Sequence, residues 1–172
     1  MQCAAIRVPI ARVKSKVSGS YTLDEAVDDV LRTADQLAIS RFHLVGHSMS
    51  ALVAQKIGLA AAARIQSVTL FSPVPPTGFH ADEAAMKALN AVIEDDEAAG
   101  RAIAACGLTA PMHVVNGALD IPFYRGDTSH NSFATAYPQA TFEMIDDAGH
   151  YSMLETPVRV AGIIEKHVGA AA

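Results

Sequence analysis

Between positions 22 and 38 the apolar side chains recur at a helical spacing. Leu23, Ala26, Val27, Val30, Leu31, Ala34, Leu37 and Ala38 form one stripe, while Asp24, Glu25, Asp28, Asp29, Arg32 and Asp35 fall on the opposite side. A stripe of period 3.6 predicts an amphipathic surface helix packed on a sheet. Thr22 followed by Glu25 has the spacing of a capping box at its start. The pattern then shortens. Residues 41–45 read as a strand, and from Ser48 to about Ala63 an alanine-rich apolar run predicts a second helix. Residues 66–72 form the next strand, stopped by Pro73, Pro75 and Pro76. Strand, helix and strand at this spacing make a βαβ unit, so the sheet is at least partly parallel. Further strands are predicted over 112–117 and 140–145, with a weak helix over 129–136 between them and a final helix from Pro157 to about Val168. Proline is favoured in the first turn of such a helix. Residues 3–8 allow one more short strand, and 9–19 read as a loop. Residues 73–110 are proline-rich and then helical and acidic, an insertion of one or two short helices. The fold class is therefore α/β: about five or six mostly parallel strands flanked by helices, with a frayed tail over 169–172.

Composition narrows this picture. With 172 residues the chain is one domain, large enough for a real core. Its net charge of −5 comes without basic clusters, so neither nucleic acid nor an anionic membrane surface is an expected partner. No apolar run approaches the roughly 18 residues of a membrane-spanning helix. Cys3 and Cys106 are too few for a disulfide framework or a cysteine-based zinc site, which suits a reducing, cytoplasmic setting. The remaining histidines, His43, His80, His113, His130 and His167, have no metal-ligand spacing and read as ordinary surface or core residues.

Three reactive residues each follow a predicted strand: Ser48, Asp120 and His150. Ligands of open α/β sheets sit beyond the carboxyl ends of the strands. A serine hydroxyl is a poor nucleophile until an imidazole takes its proton, and that imidazole needs a carboxylate to fix its tautomer. Taken singly, Asp120 also reads as a turn residue and His150 as a loop residue.

The segment Gly46-His47-Ser48-Met49-Ser50 is close to the G-x-S-x-G nucleophile elbow, with serine in place of the last glycine. Together with Gly117-Ala118-Leu119-Asp120 and the run from Asp147 to Pro157, it resembles the elbow, acid and histidine blocks of the α/β-hydrolase superfamily. The likeness is to its serine esterases and carbon–carbon-bond hydrolases, and it extends over about 20–168. It implies Ser48 as nucleophile, Asp120 as acid, His150 as base and the Met49 amide as an oxyanion donor. His47 and Tyr151 would border the substrate pocket, Glu155 would steady the start of the last helix, and residues 73–110 would form a small cap. The implied activity is cofactor-independent cleavage of a small ester or related acyl compound, with no metal, nucleotide or flavin. Serine at the elbow disfavours epoxide opening and halide displacement, which use aspartate there.

The resemblance also implies what differs. The family sheet usually has eight strands, and its His-Gly oxyanion motif has no counterpart before Ser48. A chain truncated at its N-terminal side, pairing as a homodimer through the exposed side of the sheet, is the expectation. Two other readings stay open: a small-molecule receptor of the same fold, and an inactive fragment.

Overall fold

The computed structural model describes residues 22–76, 108–125 and 127–171. In chain order these form α1 (Leu23–Gln36), β1 (Phe42–His47), α2 (Met49–Ala60), a 3-10 turn (Ala62–Arg64), β2 (Ile65–Phe71), β3 (Met112–Gly117), α3 (Pro122–Arg125), α4 (Asp127–Ala136), β4 (Ala140–Ile145), α5 (Ser152–Glu155) and α6 (Pro157–Ala170). The strands pair in parallel in the order β1-β2-β3-β4. Four of the expected strands are therefore present among the described residues. The possible strand over 3–8 and most of the expected cap over 73–110 lie outside them.

α1 begins as its sequence demands. The Thr22 hydroxyl accepts the Glu25 amide at 3.2 Å, and the Glu25 carboxylate accepts the Thr22 amide at 3.1 Å. Its far end comes earlier than the apolar stripe suggests. Ala38 turns to φ 53°, and the amides of Ala38 and Ile39 donate back to the carbonyls of Asp35 and Ala34. This pair of bonds closes the helix as a Schellman motif. α6 runs the other way, continuing to Ala170 where fraying from 169 was expected. Gly169 does not stop it, because its own backbone is not left-handed and the helix runs through it.

Two cores sandwich the sheet. On one face Val27 of α1, Leu52 and Ile57 of α2, and Phe133 of α4 pack with Leu44, Val68, Leu70 and Val114 of the strands. On the other face Val160 and Ile163 of α6 cover Phe71, Val115 and Ile145. Burying apolar surface at about 25 cal/mol per Å² is what holds these layers together. Among the described residues no helix is long and apolar enough to cross a membrane. All strands run the same way, so their carboxyl ends, at His47, Phe71, Gly117 and Ile145, converge on one edge.

Candidate active site

Ser48 stands at the first of these strand ends. Its backbone has φ 52° and ψ −120°, a left-handed conformation that is strained for a residue with a side chain. The strain is held from both sides: the Ser48 amide donates to the Phe71 carbonyl at 3.0 Å, and α2 starts immediately afterwards. Gly46 makes the corner possible. A Cβ there would lie 2.8 Å from the Ala51 Cα, so only glycine lets α2 fold back over β1. Ser50 occupies the position where the elbow pattern has its last glycine, and its side chain is used. The Ser50 hydroxyl accepts the His47 amide at 2.9 Å and donates to the His47 carbonyl at 2.8 Å, tying both ends of that residue to the helix start.

Asp120 and His150 come from the loops after β3 and β4. Those loops are stitched together: the Ala118 amide donates to the Ile145 carbonyl and the Leu119 amide to the Ala148 carbonyl, both at 2.9 Å. Gly117 permits the approach, since a Cβ on it would collide with the Ala148 and Gly149 carbonyl oxygens. His150 Nδ1 donates to Asp120 Oδ2 at 2.9 Å. With its proton on Nδ1, the neutral ring presents a lone pair at Nε2. That nitrogen accepts the Ser48 hydroxyl at 3.0 Å. Asp120 is buried; its Oδ1 accepts the Ile121 amide at 2.7 Å, and its Oδ2 also accepts the Ser72 hydroxyl at 2.8 Å. The structure thus brings together all three residues singled out from the sequence.

The neighbours of His150 are aromatic. Its ring centroid lies 4.9 Å from that of His47, 4.6 Å from Tyr124 and 5.2 Å from Tyr151. His47 does more than border this space. Its Nε2 donates to the His150 carbonyl at 2.7 Å, binding the elbow to the histidine loop. Burial holds the His47 ring below the usual histidine range; the His150 ring adds to this, while the bond to the His150 carbonyl and the Asp120 charge oppose it. Glu155 is placed differently from expectation. Its carboxylate accepts the amides of Gly149 and Tyr151, on either side of His150, so it braces the histidine loop instead of the start of α6. The Met49 amide opens α2, where the first amides of a helix have no intrahelical acceptor. It points the positive end of the helix dipole at the serine.

Sequence reasoning missed Ser72 and Tyr124. For Ser72 the only available signal was its position at the end of a predicted strand, before Pro73; Tyr124 lies on α3, too short for any periodicity. Three histidines read as unrelated also prove to be neighbours, at the other end of the sheet. His167 of α6 lies 2.8 Å from the Thr69 hydroxyl and 5.4 Å, ring to ring, from His113. His43 lies 2.7 Å from Ser67 on the same face. No group of side chains among the described residues could hold a metal ion.

Comparison with known proteins bears on the fold. No protein-family model and no curated protein matches the sequence. Solved structures do match. A meta-cleavage product hydrolase from Pseudomonas fluorescens IP01 superposes with a TM-score of 0.69 at 16% identity, covering 92% of this chain and 76% of its own. A thermophilic esterase from Thermogutta terrifontis gives 0.64 at 19% identity, covering 90% and 75%. An α/β hydrolase from a lagoon-sediment metagenome gives 0.65 at 15% identity, covering 93% and 74%. At such identities the likeness establishes the fold.

Proposed function

From a partial α/β-hydrolase fold as the premise, we propose that the protein is a cofactor-independent serine hydrolase of small esters or related acyl compounds. The observation that carries this reading is the unbroken relay from the Ser48 hydroxyl through the His150 ring to the Asp120 carboxylate, at 3.0 and 2.9 Å. In the reaction, Ser48 Oγ attacks the acyl carbon and its proton passes to His150 Nε2. Asp120 stabilises the resulting imidazolium without taking the proton. The Met49 amide donates to the oxyanion. Collapse of the tetrahedral intermediate expels the alcohol, which takes the proton from Nε2 and leaves an acyl-serine. Water, deprotonated by the same nitrogen, then releases the acid. The matched esterase and meta-cleavage product hydrolase support the general class of chemistry. The exposed Leu119, Ile121 and Tyr151 rim the site with apolar surface, which suits an uncharged substrate.

The test is labelling with a fluorophosphonate probe, read by intact mass. Wild type should gain one adduct, and Ser48→Ala none. His150→Ala should label slower by about 10³-fold or more, and Asp120→Asn by about 10²–10⁴-fold. An unlabelled wild type, or an adduct that persists in Ser48→Ala, would overturn the proposal.

A further inference from the structure

Just past the end of β2 stands a residue that the proposed mechanism does not use. Ser72 sits at φ 40°, a left-handed conformation for which glycine is the natural choice. It is almost fully buried, and its amide donates to the Val115 carbonyl at 2.8 Å. Its hydroxyl donates at 2.8 Å to Asp120 Oδ2, the same oxygen that accepts the His150 Nδ1 proton. The Asp120 side chain is only 1% exposed, so bulk water does not compete with that donor. A turn alone would be served better by glycine. The chain keeps a hydroxyl here, in an unfavourable backbone conformation, aimed at the carboxylate of the relay.

We infer that Ser72 is a positioning residue, which locks the Asp120 carboxylate so that Oδ2 faces His150 Nδ1. Its effect on rate rests on the serine-hydrolase reading; its hydrogen bond does not. Two consequences follow from the geometry. Without the hydroxyl, the Ile121 amide and His150 Nδ1 are the donors left on the carboxylate among the described residues, and the aim of His150 loosens. In addition, Oδ2 no longer shares its charge between two donors. The charge that Oδ2 presents to the His150 ring changes, and the pH at which the ring takes up its proton changes with it.

Ser72→Ala and Ser72→Gly in the full chain separate this role from a purely conformational one. Alanine keeps the backbone strain and loses the hydroxyl, whereas glycine relieves the strain and loses the hydroxyl. Glycine also covers the case in which the alanine variant fails to fold. Two readouts are needed: the pH profile of fluorophosphonate labelling, and an NMR titration of the His150 ring, assigned by its disappearance in His150→Ala. Both variants should label about 10- to 100-fold more slowly than wild type. In both, the acid limb of the profile and the ring titration should move together, away from their wild-type positions. A glycine variant that labels at the wild-type rate with an unmoved titration would assign Ser72 to the turn alone and overturn the inference. Should wild type fail to label, the hydrolase reading falls and the ring titration decides by itself. A shift shared by both variants then upholds the Ser72–Asp120–His150 coupling, and no shift refutes it.

Discussion

At the scale of single residues, Ser50 shows how a departure from a motif can be supported by its surroundings. Gly46 has no freedom to vary, because the Ala51 backbone occupies the space of a side chain. At Ser50 there is room, and the hydroxyl closes two hydrogen bonds onto His47. Replacing Ser50 by glycine, which would restore the family pattern, should therefore weaken the protein. The loss should be about 1–2 kcal/mol in urea denaturation, since a net hydrogen bond contributes about 0.5–1.5 kcal/mol. An unchanged or higher midpoint would show that the two bonds contribute nothing. The residues legible in the sequence were those whose identity a local turn dictates: Gly46, Ser48, Gly117 and the Gly149-His150 pair. Ser72, Tyr124 and the true role of Glu155 were not legible. Each acts across a tertiary contact, on Asp120, on the His150 ring and on the amides of Gly149 and Tyr151, that no spacing along the chain encodes.

At the scale of elements, the two periodicities located the strands and the long helices, and the errors lie at their ends. The stripe over 22–38 carries no stop signal, because the left-handed C′ position of α1 is held by Ala38 and not by glycine. That mismatch makes a prediction. Both Schellman bonds are already formed, so Ala38→Gly removes only the steric cost of a Cβ at positive φ, about 1–2 kcal/mol, offset in part by glycine's greater freedom when unfolded. The variant should be about 1 kcal/mol more stable, with unchanged labelling. A destabilised variant would mean that the α1 terminus is not a left-handed cap. α3 escaped notice for a different reason: four residues opened by Pro122 span barely one turn, too few to display a period. The strands also hid something. Ser67 and Thr69 interrupt the apolar residues of β2, and only the packed sheet reveals that they face a cluster of histidines under α6.

At the scale of the whole molecule, the sheet carries the Ser48–His150–Asp120 relay at one edge, its proposed reactive edge, and a histidine-rich patch at the opposite end of its α6 face, and the two should respond to pH separately. His167 is held below the usual histidine range first by burial and then by the neighbouring His113 and His43. His43 is lowered by burial and by the Arg41 cation. Around them stand Thr69 on β2, and Glu143 on β4, which lies 3.3 Å from His113 and also faces Arg159 of α6. A histidine whose value is lower folded than unfolded takes up its proton more readily when unfolded. The stability it represents is therefore complete above the ordinary value of 6.5 and is lost as pH falls through the lowered folded value. His47 at the reactive edge has the same sign. Urea midpoints should accordingly fall between pH 7 and pH 5. His167→Gln, which removes one titrating ring while keeping a polar partner for Thr69, should flatten that fall. The same variant should leave the acid limb of fluorophosphonate labelling in place, because in the proposed reaction that limb belongs to the base, His150, at the other end of the strands. If His167→Gln moved the labelling profile and left the midpoints unflattened, the α6 patch and the reactive edge would be one electrostatic unit instead of two.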